Sequence, residues 1–422
     1  MRRSLFLARC LVRAGLARWL PRARRALGSA VDPLRYCSDE VLGLPVEMLR
    51  EAAGAVSPVG PDVLDLTQGP ESGKSIRLTG QNPLADRQPF TPVQGSWELR
   101  HGIGVWMERE LRLTRDPQNE ILVTLGATGA LQTALATFVN RRDRIVLFEP
   151  TSPLFEILAA ARGARIQRVP TRMEDGKIRF GVDCLAKSLR GARMILLANP
   201  ANPQGGVLSD ADLEQIAWWA AKRDVLIYSD DVFASFIYDQ PSTNIGCLPR
   251  AFRRTLSAGS VTMSHCQPGL RVGWLTADRA LLRPCVGIAA VRAAFVPALC
   301  QQIAVTLLEQ PVEELHRLRD ELASRRQYAF ERLQAMGFQP EWPAGGHFFW
   351  LDTNRMGMSG AVFAEKLFRE KRVRVSPGSL FGPNCAGFVR LSYAGEDGRL
   401  RTGLGRIAEF LTGETTRPAR AA

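Results

Sequence analysis

From about residue 120 the chain alternates short, nearly unbroken apolar runs with longer stretches whose apolar residues recur at helical spacing. ILVTL at 121–125 leads into a helix from about Thr128, and RIVLFEP at 144–150 is followed by LFEILAAARGA. MILLANP at 194–200 is followed by SDADLEQIAWWAAKR, and VLIYSDD comes next at 225–231. An apolar run without polar alternation is a strand buried on both faces, and strands separated by helices pair in parallel. The pattern predicts an α/β core, a mostly parallel sheet covered by helices on both faces. A long helical stretch, roughly 277–335, carries the chain out of that core. Beyond it, GGHFFWLD, RVRVSPGS and GFVRLSYA read as strands interleaved with the helix GAVFAEKLFREK, a smaller α+β C-terminal domain. Ahead of the core, VEMLREAAGAV within 31–57 reads as a helix. The expected division is an extension over 1–30, an arm over 31–80, a large domain over 81–300, a small domain over 301–412 and a tail over 413–422.

Composition excludes several alternatives. With 422 residues, 45% hydrophobic and 23% charged, the chain is ordinarily globular and too long for a single small module. Its net charge of +13 is concentrated: eight arginines and no acidic residue fall in the first 30 positions, leaving five charges spread over the rest. No basic stripe remains to suggest a nucleic-acid partner. The leading segment is too interrupted by charge to span a bilayer. A transit peptide, a membrane-surface helix and an inert extension all fit it, so the expected location is cytoplasmic, or an organellar matrix if the segment is a transit peptide. The eight cysteines include no C-x-x-C pair and the four histidines are scattered, which points to an intracellular, metal-free protein.

In open α/β sheets, ligands collect at the carboxyl ends of the strands, and three such ends carry candidate chemistry. Gly126-Ala127-Thr128-Gly129-Ala130 follows a strand and opens a helix, where small residues, a hydroxyl and the helix dipole favour an anion. Asn199-Pro200-Ala201-Asn202-Pro203-Gln204-Gly205-Gly206 places an amide after the next strand, in a loop stiffened because each proline restricts the residue before it. Ser229-Asp230-Asp231-Val232-Phe233 sets a carboxylate where burial is costly without a cation or a protonated ring nitrogen.

Together these segments resemble the class I/II aminotransferases of fold type I, which use pyridoxal 5'-phosphate. The resemblance runs from about residue 60 to 400. It extends to Gly69-Pro70, Gly95-x-x-x-Leu99-Arg100, Gly269-Leu270-Arg271-Val272-Gly273, Gly345-Gly346-His347-Phe348, Pro377-Gly378-Ser379-x-Phe381-Gly382 and Arg390-Leu391-Ser392. It implies that Ala127, Thr128, Ser260 and Arg271 hold the cofactor phosphate, that Asp230 pairs with the pyridine nitrogen and that Asn202 contacts the ring's 3' oxygen. Arg390 would clamp the carboxylate of an amino or 2-oxo acid with its planar donor set, the Gly69 segment would border the substrate, and the protein would be a homodimer.

The chain departs from the family pattern in the same pocket. The lysine that forms the resting Schiff base and shuttles the substrate proton corresponds to Met263, and no lysine occurs between Lys222 and Lys366. Losing a positioned general base costs about 10²- to 10⁴-fold in rate. The aromatic residue that stacks on the ring corresponds to Ser152, the tyrosine at the 3' oxygen to Phe233, and the tyrosine reaching the partner's phosphate to Phe90. His265, two residues after Met263, and Lys74, in the segment bordering the site, are candidate surrogates; His347 is expected to pack or hydrogen-bond within its strand. Two functions follow as expectations: a protein that binds pyridoxal phosphate noncovalently with weak or altered transaminase-type chemistry, or an inactive homologue serving as dimer partner or metabolite-binding scaffold.

Overall fold

The computed structural model describes residues 62–67, 90–239, 243–293 and 295–413. The helix expected within 31–57, Gly69, Pro70, Lys74 and the first 30 positions lie outside these residues.

In chain order the elements are β1 (Leu64–Asp65), α1 (Trp97–Leu111), β2 (Ile121–Leu125), α2 (Gly126–Phe138), β3 (Arg144–Glu149), α3 (Pro153–Ala161), β4 (Arg165–Glu174) and β5 (Lys177–Phe180). They continue with α4 (Val182–Ser188), β6 (Ala192–Ala198), α5 (Asp210–Arg223), β7 (Leu226–Asp230), β8 (Thr255–Ser260), α6 (Val261–Ser264) and β9 (Val272–Ala277). Next come α7 (Arg279–Arg292), α8 (Ala298–Leu308), α9 (Val312–Ala335), β10 (Phe348–Asp352), α10 (Gly360–Lys371), β11 (Val373–Arg374), β12 (Ser376–Pro377), β13 (Phe388–Ser392) and α11 (Asp397–Thr412).

Eight strands form the main sheet in the order β2-β9-β8-β7-β6-β3-β4-β5. The pairs β8–β7, β7–β6, β6–β3 and β3–β4 are parallel, while β9 runs against both β2 and β8 and β5 runs against β4. The unbroken apolar runs have a direct cause. Ile145 and Leu147 of β3 pack with α2, α3 and α7 on one face, while Val146 and Phe148 pack toward α4 and α5 on the other. Both faces are dry, so alternation is lost.

The second sheet pairs β10, β13 and β12 antiparallel, and β1 pairs with β11 in parallel. Its core joins Phe349, Leu351, Val389 and Leu391 to Leu333, Phe363, Leu367, Leu400 and Leu404. Ser359 caps α10 and Ser209 caps α5 in a reciprocal capping box with Asp212, which fixes where these helices begin.

Three expectations need adjusting. The 277–335 stretch is three helices, interrupted at Pro297 and Pro311, each of which is the N-cap of the next helix. RVRVSPGS yields only the two short strands β11 and β12. Helix α2 begins at Gly126 rather than Thr128, because Gly126 adopts a φ of +66° that turns the chain directly off β2. Strands β8 and β9 escape an apolar-run reading because Thr255, Ser257, Gly259 and Gly273 interrupt them. Gly259 must stay small: a Cβ there would lie 2.5 Å from Trp274 on β9.

The turn into α2 rests directly on β9, since a Cβ on Gly273 would lie 2.5 Å from the carbonyl carbon of Gly126 and 2.8 Å from the nitrogen of Ala127. Gly273→Ala should therefore destabilise the fold by about 1–3 kcal/mol or more, because the obstacle is backbone with no rotamer to yield. Urea unfolding should give a lower midpoint with an unchanged slope; an unchanged midpoint would refute this contact.

Candidate active site

The carboxyl ends of β2, β8, β7, β6 and β3 and the amino end of β9 share one edge of the main sheet. Across it Leu125 lies opposite Val272, Ser260 opposite Gly273 and Ala198 opposite Asp230. On this edge the Gly126 turn meets Arg271: a Cβ on Gly126 would lie 2.8 Å from the Arg271 Nη2. Arg271 adopts a left-handed backbone (φ 55°), which turns the chain into β9 while its guanidinium lies over the start of α2. Thr128 and Ala127 are half-buried in the first turn of α2, and Ser260 is buried at the end of β8. Positive charge, helix N-terminus and hydroxyls thus converge where an anion is favoured.

Asp230 ends β7 half-buried, and its Oδ1 accepts a hydrogen bond from the Val232 amide at 3.2 Å. Burial pushes its carboxyl up to about 7, with the charge of neighbouring Asp231 adding to the rise. Asp231 is buried beneath, taking hydrogen bonds from Ser229 Oγ (2.6 Å) and Asn244 Nδ2 (2.8 Å); burial raises it to about 6 against those bonds.

Arg390 reaches the same region from β13. Its Nη1 donates to Asn202 Oδ1 at 2.8 Å and its Nη2 to the Thr67 carbonyl at 3.0 Å. Its guanidinium carbon sits 4.1 Å from the ring centre of Phe348 and 4.9 Å from that of Phe381. Phe348 belongs to an apolar cluster with Val232, Phe233 and Phe236, against which Ala127 and Met263 pack. Ala127, Phe233, Met263, Asn202 and Arg390 are thereby linked through one continuous set of contacts.

The remaining candidates are arranged differently. Ser152 opens α3 after β3, and its hydroxyl does not cap that helix. The ring of His265 hydrogen-bonds the Ser264 hydroxyl through Nδ1 at 2.8 Å, and burial together with the charge of Arg109 lowers it to about 4. Phe90 is 88% exposed and lies edge-on to Phe295 at 5.4 Å. His347 is fully buried, edge-on to Phe233 at 4.9 Å, and neither ring nitrogen has a hydrogen-bond partner among the described residues. Burial and the Arg390 charge lower it to about 3. His347 lies just before β10 rather than within a strand; it packs against Phe233 and Phe348, without a ring hydrogen bond among the described residues.

A family model for aminotransferase class I and II matches residues 77–407, most of the chain. This chain belongs to the class I and II aminotransferase family. A putative aminotransferase of Bacillus subtilis is 30% identical over 322 residues, covering 76% of this chain and 83% of the relative. An arginine–pyruvate transaminase of Pseudomonas aeruginosa is 31% identical over 326 residues, covering 77% and 83%. The crystal structure of an aspartate aminotransferase from Thermotoga maritima superimposes with a TM-score of 0.77 at 26% identity, covering 89% of this chain and all of that one. The fold is therefore that of the fold type I aminotransferases, whose class I members use pyridoxal 5'-phosphate. No helix among the described residues is long and apolar enough to cross a membrane.

Sequence reasoning missed three contributors. Thr262, buried beside Ser260, has a hydroxyl with no hydrogen-bond partner among the described residues. Asp231 looks like a second acid in the motif, yet it is locked into a buried network. The paired rings of Phe348 and Phe381 under Arg390 were visible only as parts of separate motifs.

Removing the Asp230 charge has a predictable pH signature. A carboxyl raised from 3.8 to about 7 in the folded state contributes stability that is complete below its unfolded value and disappears as pH rises through about 7. In ligand-free protein, Asp230→Asn should match the parent near pH 4 and melt higher at pH 8, by about 1 °C for each kcal/mol in a chain of this length. The lowered His265 and His347 act oppositely, losing stability as pH falls below their usual 6.5, so the comparison is made at each pH. Equal melting temperatures at pH 8 would contradict the burial of this charge.

Proposed function

We propose that this aminotransferase-family protein binds pyridoxal 5'-phosphate without a covalent tether, together with an amino or 2-oxo acid, and carries at most weak or altered transaminase-type chemistry. The observation that carries the reading is Asp230, a carboxyl raised by burial on the same sheet edge as the Gly126–Arg271 anion cradle. A protonated pyridine nitrogen supplies the cation such a carboxyl needs, and a phosphate suits the cradle. The Thr262 hydroxyl, two residues after Ser260 and without a hydrogen-bond partner among the described residues, is a further donor suited to a phosphate oxygen. When bound, the cofactor supplies an electron sink for charge at the substrate's Cα.

The chain's own residues then divide the work. Thr128, Ser260, Thr262 and Arg271 would hold the phosphate, and Asp230 would keep the ring nitrogen protonated. Asn202, whose Oδ1 accepts from Arg390, would contact the ring's 3' oxygen. Arg390 receives the α-carboxylate by two parallel donors, its plane fixed by the rings of Phe348 and Phe381. Phe233 cannot hydrogen-bond where the family tyrosine would, and Ser152 offers no ring to stack. Met263 packs against the Phe233 and Phe348 cluster. Its thioether can neither add to an aldehyde nor carry a proton, so the site lacks a general base at the family position. His265, at about 4, is neutral at physiological pH, with its Nδ1 engaged by the neighbouring Ser264 hydroxyl.

A second copy of the chain is part of this reading. Phe90 (88% exposed), Val291 (86%) and Leu125 (42%) present apolar surface near a cavity of about 360 Å³ lined by Val93, Leu125, Thr133 and Phe295. Such surface is well suited to burial against a homodimer partner. The same surface would serve a non-catalytic homologue paired with an active aminotransferase.

Titration of the purified protein with pyridoxal 5'-phosphate should give saturable binding, with no mass added to the chain after borohydride reduction. Met263→Lys should convert the site to one whose cofactor is fixed by reduction, with the added mass mapped to position 263. Reduction that fixes cofactor to any lysine of the parent chain would overturn the untethered reading, and absence of saturable binding would favour the non-catalytic homologue.

A further inference from the structure

The geometry points to Glu149 as a positioning residue that registers the Arg390-bearing sheet against the cofactor edge of the main sheet. Glu149 is the last residue of β3, and its side chain is 5% exposed. The residues that grip its carboxylate belong to the turn after β12. Asn384 donates its side-chain Nδ2 to Oε2 at 2.9 Å and its backbone amide to Oε1 at 3.3 Å. Arg168 of β4 approaches Oε1 at 3.7 Å while its Nη2 holds Glu156 at 2.7 Å. A buried carboxylate is tolerated only with such partners.

The turn is built around the carboxylate. Gly382 has a φ of +146°, and a Cβ there would lie 2.3 Å from Glu149 Oε1. Any side chain at that position would displace the acid. One residue earlier, the Phe381 carbonyl accepts the Thr151 amide at 2.9 Å, and Leu380 and Phe381 pack on Ile157 of α3. Phe381 is the ring beneath the Arg390 guanidinium. The backbone end of Glu149 is tied as well: its carbonyl accepts the Thr171 hydroxyl at 2.9 Å, and that hydroxyl also contacts Gln204 of the Asn202 loop at 3.2 Å.

Glu149 therefore stands between three parts of the site without facing the ligand. Through Asn384 and Gly382 it fixes the floor of Arg390, through Thr171 and Gln204 it braces the loop carrying Asn202, and it immediately precedes the segment that starts α3. A shift of this acid would change the distance between the carboxylate clamp and the phosphate cradle while leaving both intact. The consequence for ligands rests on the proposed function, whereas the clasp itself does not.

The test uses Asn384→Asp, Glu149→Gln and the double variant in the full-length protein. Asn384→Asp sets two carboxylates against each other. The double variant restores an amide–carboxylate pair with its polarity reversed. Hydrogen exchange should show the Thr151 amide and the 376–392 segment opening about tenfold more often in Asn384→Asp, with recovery in the double variant. Amides of α2 should not change. Unchanged exchange at Thr151, or equal acceleration throughout the chain, would overturn the assignment.

The ligand readout uses pyridoxal 5'-phosphate and pyruvate as probes. With the cofactor bound, pyruvate should bind roughly tenfold more weakly to Asn384→Asp, the affinity for the cofactor alone should change less than about threefold, and the double variant should recover. Equal weakening of both probes, or of neither, would reject a positioning role in favour of a purely structural one. If the parent protein binds neither probe while the exchange pattern follows the pairing, the proposed function fails and the clasp remains.

Discussion

Arg390 is the charge on which the two sheets converge. Its guanidinium leaves β13, lies over the faces of Phe348 and Phe381, and donates to Asn202 in the loop after β6 and to the carbonyl of Thr67 beside β1. An arginine in this setting must satisfy a planar set of donors, and each acceptor it finds belongs to a different stretch of chain. The loop after β6, the segment after β1 and the second sheet are therefore held to one geometry. The acidic counterpart on the main sheet, Asp230, lies one strand from the Asn202 loop, so opposite charges face the same region from separate layers.

Much of the architecture was legible because double-sided burial writes itself plainly. Strands β2, β3, β6 and β7 could be located from apolar runs such as Ile145-Val146-Leu147-Phe148, each residue of which is buried against one or the other helical layer. Strands β8 and β9 were not legible that way, since Gly259 gives room to Trp274 and Gly273 to the turn at Gly126. Packing of neighbour against neighbour decides those positions, and a single strand's pattern does not contain its neighbour. Proline also misled the eye: it starts α8 and α9 rather than merely occurring within one long helical stretch.

The candidate site was legible as separate motifs, because each strand end carries its own polar residue. What lay hidden was their combination. Register decides that Trp350 and Ser376 flank Arg390, and only tertiary packing puts the buried imidazole of His347 edge-on to Phe233. A fully buried ring with no hydrogen bond among the described residues is costly, and burial, with the Arg390 charge adding to it, keeps the ring neutral. Met263 packs against the same cluster of Phe233 and Phe348.

The reversed direction of β9 has a consequence for selectivity. Because this strand enters the ligand edge where its neighbours leave it, the edge carries Arg271 before the strand and Gly126 and Ser260 at the exits on either side. Three adjacent strands, β2, β9 and β8, therefore set the lateral placement of these groups, at about 4.8 Å from strand to strand. The breadth of the cradle is a dimension of the backbone lattice. Exchanging side chains can alter how firmly an anion is gripped, but widening the gap for a bulkier one would require breaking the ladder itself.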